Sequence, residues 1–142
     1  MIVGFTGTKK GMTDVQKKVV QELVKRLKPF EFHHGDCVGA DEQADGIAAL
    51  FNPEIHVHPP TDNKLRAHTQ LKTDGVRRVI WPPEPYLKRD ESLAHVSDVL
   101  IATPKEFEEV IRSGTWTTVR RARKAKRKIY KVFPDGSIAE EN

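Results

Sequence analysis

Short β-prone runs alternate along this chain with stretches in which apolar residues recur at helical spacing. Residues 1–6 form the first run, ending at Gly7. Val15, Val19, Leu23 and Leu27 then stand four apart, which predicts a helix with these residues inward. Thr13 followed by Gln16 has the form of a capping box, and Pro29 marks that helix's end. Residues 30–34 read as a second strand and 35–41 as a loop. The next helix carries Ala40, Ala44, Ile47, Ala48 and Phe51 on its inner face. Residues 54–58, 99–102 and 128–133 read as further strands, with helices near 90–96 and 115–126. Strands alternating with helices predict an α/β domain, a parallel sheet of about five strands covered on both faces.

Between the third and fourth strands lies a segment, 59–85, with five of the nine prolines, which reads as a long irregular loop. Residues 138–142 read as a frayed tail. The 142 residues suit one domain, residues 1–142, and no apolar stretch approaches the roughly 20 residues that cross a bilayer. With no signal-peptide pattern at the start, the expected location is cytoplasmic, with no membrane partner. Cys37, the single cysteine, rules out an internal disulfide, so burial must hold the core.

The net charge of +4 is unevenly spread. Arg120 to Lys131 hold eight basic residues and no acid, leaving 16 basic against 20 acidic elsewhere. Such a run reads either as a solvated helix face or as a surface for a nucleic-acid backbone.

In parallel sheets, ligands gather outside the carboxyl ends of the strands, where glycine turns and helix N-termini present N–H groups to anions. Three glycine-bearing segments fall on that edge: 7–11, 35–41 and 113–118. They nominate Gly7, Thr8, Lys9, Gly35, Asp36, Gly39, Asp41, Ser113, Gly114, Thr115 and Thr118 as ligand-binding residues. The first loop is neither a GxxxxGK[ST] nor a GxGxxG turn, against an ordinary NTPase or a dinucleotide oxidoreductase. Asp41 reads equally as a helix-starting residue and as a carboxylate for a ligand hydroxyl or N–H. Cys37 reads as a small, partly buried residue before it reads as a nucleophile. Trp81, Tyr86 and Trp116 are expected beside the cleft, as stacking or as anchoring aromatics. His56 and His58 share a strand face, but no further ligand stands at a recognisable spacing, so no metal and no cofactor is expected.

The ordered motifs GFTGT, HHGDCVGAD, HVHPP, PPEPYLKRDESLAHVSDVLIATP and RSGTWTTVRRARK resemble the SLOG superfamily, named for Smf/DprA and the lonely-guy proteins, and most closely its small stand-alone YspA-like branch, over roughly residues 2–136. The resemblance implies a Rossmann-like open sheet that binds nucleotides or nucleotide-derived ligands at these loops. Some relatives are phosphoribohydrolases, others sense nucleotide signals, and DprA binds single-stranded DNA. The hydrolases carry an arginine before the fourth strand, matched by Arg89, and a PGGxGTxxE motif. Gly114 and Thr115 match its GT pair, but Thr118 stands where its glutamate belongs. A threonine has no carboxylate to activate water or steady a cationic sugar, which disfavours that hydrolysis. Asp36, Asp41 and Asp90, with Arg89 to position phosphate, are the remaining catalytic candidates. The expectation is therefore a nucleotide-like small-molecule binder, as sensor or sequestering protein, with a dimer as its expected assembly. A hydrolase or transferase acting on a nucleotide is the first alternative, and a nucleic-acid binder using Arg120 to Lys131 the second.

Overall fold

The structure is a computed structural model and describes residues 1–142. Its elements are β1 (Ile2–Gly7), α1 (Asp14–Leu27), β2 (Glu31–His34), α2 (Ala40–Ala49), β3 (Glu54–Val57), β4 (Arg78–Ile80), α3 (Tyr86–Val96), β5 (Val99–Thr103), α4 (Gly114–Lys124), β6 (Lys128–Val132) and β7 (Ile138–Glu141). They build one open sheet in the order β4-β3-β2-β1-β5-β6-β7, parallel except where β7 runs back along β6. The chain steps outward from β1 to β4 and then returns to β1's other side as β5. This is the Rossmann-like arrangement, with the order reversing beside β1.

Alternation along the strands divides the core. Val3, Phe5, Phe32, Ile55, Val57, Val99 and Ile101 pack with buried residues of α1 and α2, whereas Leu100, Ala102 and Ile129 pack with Ala94 of α3 and Trp116, Val119 and Ala122 of α4. Every residue of β5 is buried, as both covered faces require. On the α3 side of β1 stands Gly4, where a Cβ would collide with Ser97 at the end of α3.

The capping box is formed: Thr13 Oγ1 accepts from the Gln16 amide and Gln16 Oε1 from the Thr13 amide. The same Gln16 side chain is buried and donates to the carbonyls of Pro104 and Val132, tying α1 to the ends of β5 and β6. The inner face of α1 is Gln16, Val20, Leu23 and Val24. Val15 is exposed, since it lies outward against the turn at Gly136, and Phe51 lies past the end of α2, partly in solvent. The expected inner faces of both helices are corrected at these positions.

The sheet has seven strands where the sequence pattern gave five. Residues 138–141 form β7, so the expected frayed tail is a hairpin arm. Its turn is Pro134-Asp135-Gly136-Ser137, with Gly136 at φ 84°, a conformation natural to glycine, and Asp135 accepting from the Ser137 amide and hydroxyl. The other strand is β4, inside the segment expected to be irregular. Three residues are too few to show a period.

That segment is pinned from beneath. Asp45, buried on α2, accepts from Arg78 Nη2 and Lys72 Nζ, each at 2.7 Å, and from His34 Nε2 at 2.8 Å. His34 Nδ1 accepts the Asp36 amide, so its proton sits on Nε2, facing Asp45. Asp36 is fully buried and holds Arg66 Nε at 2.8 Å together with the Thr69 amide and hydroxyl. Despite the burial of its carboxyl, hydrogen bonds from His34 and Arg78 hold Asp45 well below the ordinary carboxylate range. Its stabilisation is therefore complete above about pH 4, the unfolded value, and is lost as pH falls further. Asp45→Ala leaves Arg78 buried without its inner partner and is expected to cost about 3–5 kcal/mol in urea unfolding. Limited proteolysis of the variant is expected to cut first within residues 61–76.

Candidate functional site

Two of the three glycine-bearing loops are stitched to each other and to the end of β5 at one sheet edge, and the third, 113–118, lines the same cleft. The Thr8 amide donates to Thr103 at the end of β5, and the Ala40 amide donates to the Thr8 carbonyl. Gly39, at φ 89°, lies so close to the Lys9 backbone that a side chain there would collide with it. Where these loops meet, beside the reversal of strand order, a cleft of about 710 Å³ opens, within the range of small-molecule sites.

Of the sequence-nominated residues, Gly7, Thr8, Lys9, Asp41, Arg89, Asp90, Ser113, Gly114 and Thr115 line this cleft. Four do not. Gly35 lies behind Arg89, and Gly39 supports the Lys9 turn. Asp36 spends its carboxylate on Arg66 and Thr69. Thr118 is fully buried with its hydroxyl donating to the Gly114 carbonyl at 2.9 Å, while Thr117 faces the cleft instead. Among the aromatics only Tyr86 lines the cleft. Trp116 is buried, with its indole N–H on Glu106, and Trp81 lies over a group of histidines elsewhere. Lys105, Arg112 and Thr117 also line the cleft and were missed, as were Asp62 and Glu106. Lys105 follows β5 almost directly, but its loop carries no glycine to draw attention there.

Arg89 is the centre of the floor. Its Nη1 donates to the carbonyls of Gly35 and His58, and its Nε donates to Asp90 Oδ1 at 3.1 Å. The guanidinium thus fixes the ends of β2 and β3 against α3. Nη2 has only the Cys37 sulfur, 3.9 Å away, and keeps its N–H groups for another acceptor. Burial pushes Asp90 up to about 6, against the opposing pull of Arg89 and Thr118. Asp41 is buried too, and burial raises its carboxyl against the pull of His34 and Arg89. Its Oδ2 accepts the Cys37 amide at 3.2 Å, whereas Oδ1 has no partner. Burial together with Asp41 pushes the Cys37 thiol up to about 11, so it is protonated at neutral pH and no ready nucleophile.

Lys9, Lys10, Lys105 and Arg112 line the cleft, with Glu106 and Asp62 as further acids, and so does the start of α4, whose Ser113 caps the Trp116 amide. The first amides of a helix lack internal partners and carry its positive dipole end, so this part of the cleft suits an anion.

Half of the basic run is paired, whereas Arg121, Lys124, Lys126 and Arg127 form no salt bridge. Arg120 and Arg123 meet Glu109, Arg123 and Lys131 meet Glu141, and Lys128 approaches Glu140. Three of these bridges depend on acids of β7, the strand the sequence pattern missed.

No protein-family model matches the chain, and no curated protein matches it in sequence. Solved structures match its fold. The molybdenum cofactor binding protein from the phototrophic bacterium Rippkaea orientalis superposes with a TM-score of 0.66 at 18% identity, over 93% of this chain and 76% of that one. DNA processing protein A from Streptococcus pneumoniae gives 0.68 at 18% identity, over 91% of this chain and 49% of its own length. The Helicobacter pylori protein of that name, described for its single-stranded DNA binding mode, gives 0.63 at 15%, over 92% and 64%. The likeness of these structures establishes the fold. One of them is named for binding a small molecule and another for binding DNA. No helix here is long and apolar enough to cross a membrane.

Arg89→Ala is expected to destabilise the chain by about 3–5 kcal/mol, because Asp90 is left buried without its cation and two carbonyls lose their donor. An accompanying NMR titration of Asp90 should move its midpoint above 6, since the largest lowering influence is removed while burial and Asp41 still raise it. A raised native value also fixes the pH sign. Asp90's proton-linked contribution to stability is present below about pH 4 and is lost as pH rises to about 6.

Proposed function

We propose that the chain binds a nucleotide or nucleotide-derived small molecule in this cleft, as a sensor, carrier or sequestering protein. The observation that carries the reading is Asp41 Oδ1, a buried carboxyl oxygen without a partner, on a residue that lines a cleft also lined by Lys9, Lys10, Lys105 and Arg112. A ligand with a phosphate at one end and hydroxyl or N–H donors at the other satisfies both the carboxyl and the cations. The phosphate lies against the start of α4 and the lysines, Arg89 Nη2 adds a charged donor, and Asp41 takes a ribose hydroxyl or a base N–H. The exposed side chains of Leu87 and Ile111 on the rim offer an apolar surface for a ring. The likeness to a molybdenum cofactor binding protein supports a small-molecule reading on this fold. The pairing of half of the basic run with Glu109, Glu140 and Glu141 weighs against a nucleic-acid surface there.

Hydrolysis of the lonely-guy kind is not part of the proposal. Thr118 is buried and bonded to its own helix, and it supplies no carboxylate to the cleft. Burial raises two cleft acids, Asp90 and Asp41, so any proton transfer on a ligand would fall to one of these two.

Calorimetry across mono-, di-, cyclic and sugar-linked nucleotides is expected to find at least one that binds. Asp41→Asn replaces one acceptor oxygen with a donor and should weaken that ligand by roughly tenfold or more, with the melting temperature little changed. Silence across the panel from folded protein overturns the reading. Release of free base from AMP, CMP, GMP or UMP is expected to be negligible, and rapid release would make the chain an enzyme.

A further inference from the structure

The sequence repeats Glu-x-His on two strands, Glu31 and His33 on β2, Glu54 and His56 on β3. The strands are parallel and in register, with Glu31 opposite Glu54 and His33 opposite His56. All four side chains therefore stand together on the sheet face away from α1 and α2, towards the amino ends of the strands and away from the cleft. The two imidazoles stack with centroids 4.3 Å apart and planes 10° apart. Glu31 Oε1 lies 2.7 Å from His33 Nε2 and 3.4 Å from His56 Nε2, and Glu54 Oε1 lies 2.7 Å from His56 Nε2. The histidines are buried, while the carboxylate side chains are 25% and 31% exposed, leaving a way in from solvent.

We propose that Glu31, His33, Glu54 and His56 form a site for a divalent transition-metal ion of borderline softness, with Zn²⁺ as the type. Two imidazole nitrogens and two carboxylate oxygens make a neutral-plus-anionic donor set of the number and kind such an ion takes. The donor atoms of Glu31, His33 and His56 already fall within 4.8 Å of one another. Outer partners are in place as well. His33 Nδ1 is 2.7 Å from His58 Nε2, so a His33 that ligates through Nε2 can donate its remaining proton to His58.

Trp81 sets the terms of entry. Its indole N–H, which only donates, lies 2.9 Å from His56 Nδ1. In that arrangement Nδ1 accepts, and the ring proton sits on Nε2, facing Glu54. An ion on Nε2 requires the proton to move to Nδ1, which takes away the indole's acceptor. Trp81 and the ion therefore compete for opposite tautomers of His56. The indole also stacks on His58, with centroids 4.5 Å apart, so releasing it changes the surroundings of an intrinsic fluorophore. Exposed Arg77, 3.2 Å from Glu54 Oε2, is the only cation bridged to the four and leaves Oε1 to the site.

The test is calorimetric titration of the full chain with Zn²⁺ alone, read beside indole fluorescence and the visible absorption of added Co²⁺. One ion per chain is expected, with a fluorescence change that saturates at the same ratio and a Co²⁺ spectrum of four-coordinate intensity. Glu31→Gln and Glu54→Gln keep side-chain shape and should each weaken binding about tenfold or more. Trp81→Phe should tighten binding, because the competing donor is gone; adventitious binding by surface histidines such as His68 or His95 has no reason to respond that way. Absence of saturable one-to-one binding overturns the proposal, as do affinities indifferent to both glutamine variants, weaker binding by Trp81→Phe, or a weak octahedral Co²⁺ spectrum from the unaltered chain. The cleft ligand plays no part in these measurements, so the site stands or falls separately from the proposed function.

Discussion

A carboxylate removed from water must find cations or donors, and two such carboxylates organise half of this molecule. Asp45 points from α2 towards the outer strands and gathers Arg78, Lys72 and His34. Asp36, at the turn after β2, gathers Arg66 and Thr69. Four of these five partners come from the proline-rich stretch between β3 and α3. A segment with few apolar residues of its own is thereby ordered by charge, and β4 can pair with β3 as the outer strand. The arrangement also places Trp81 over the histidines and Pro85 at the start of α3.

Arg89 plays the corresponding part at the cleft. A planar guanidinium offers five donors in a fixed fork, and here two nitrogens are used on carbonyls and Asp90 while a third is left over. The same side chain holds the loops apart and presents a charge between them. Burial of the two acids themselves lies behind the mixed character of the floor, where Asp90 and Asp41 are both raised although a cation stands beside them. Binding chemistry and structural pinning are thus not separable at Arg89. At Asp41 they are partly separable, because one oxygen holds the Cys37 amide and the other has no partner.

The second hairpin changes what the basic segment means. Taken alone, Arg120 to Lys131 is a patch fit for phosphates. In the fold, β7 returns antiparallel to β6 and brings Glu140 and Glu141 beside it, and Glu109 reaches it from the loop before α4. Further positive charge lies in the set of lysines and arginines lining the cleft, which is smaller and faces a cavity instead of a flat surface.

The sequence by itself determined the alternation of strands and helices, the capping box at Thr13 and Gln16, the sheet edge on which the loops converge, and fewer than half of the residues that line the cleft. These are local facts: periodicity, caps and turns need only neighbours in the chain. Even β7 had a local signal in Pro134-Asp135-Gly136, overlooked because the strand it introduces is short and charged. Tertiary structure alone decided which carboxylates face the cleft and which are spent on pinning, since Asp36 and Asp41 stand five residues apart, and only Asp36 meets Arg66 and Thr69 of the later segment. It also decided that Glu31 and Glu54, ordinary surface acids in the sequence, stand beside His33 and His56. Register between parallel strands is set by core packing across the sheet, and no spacing along one strand reveals what the next strand will bring alongside it.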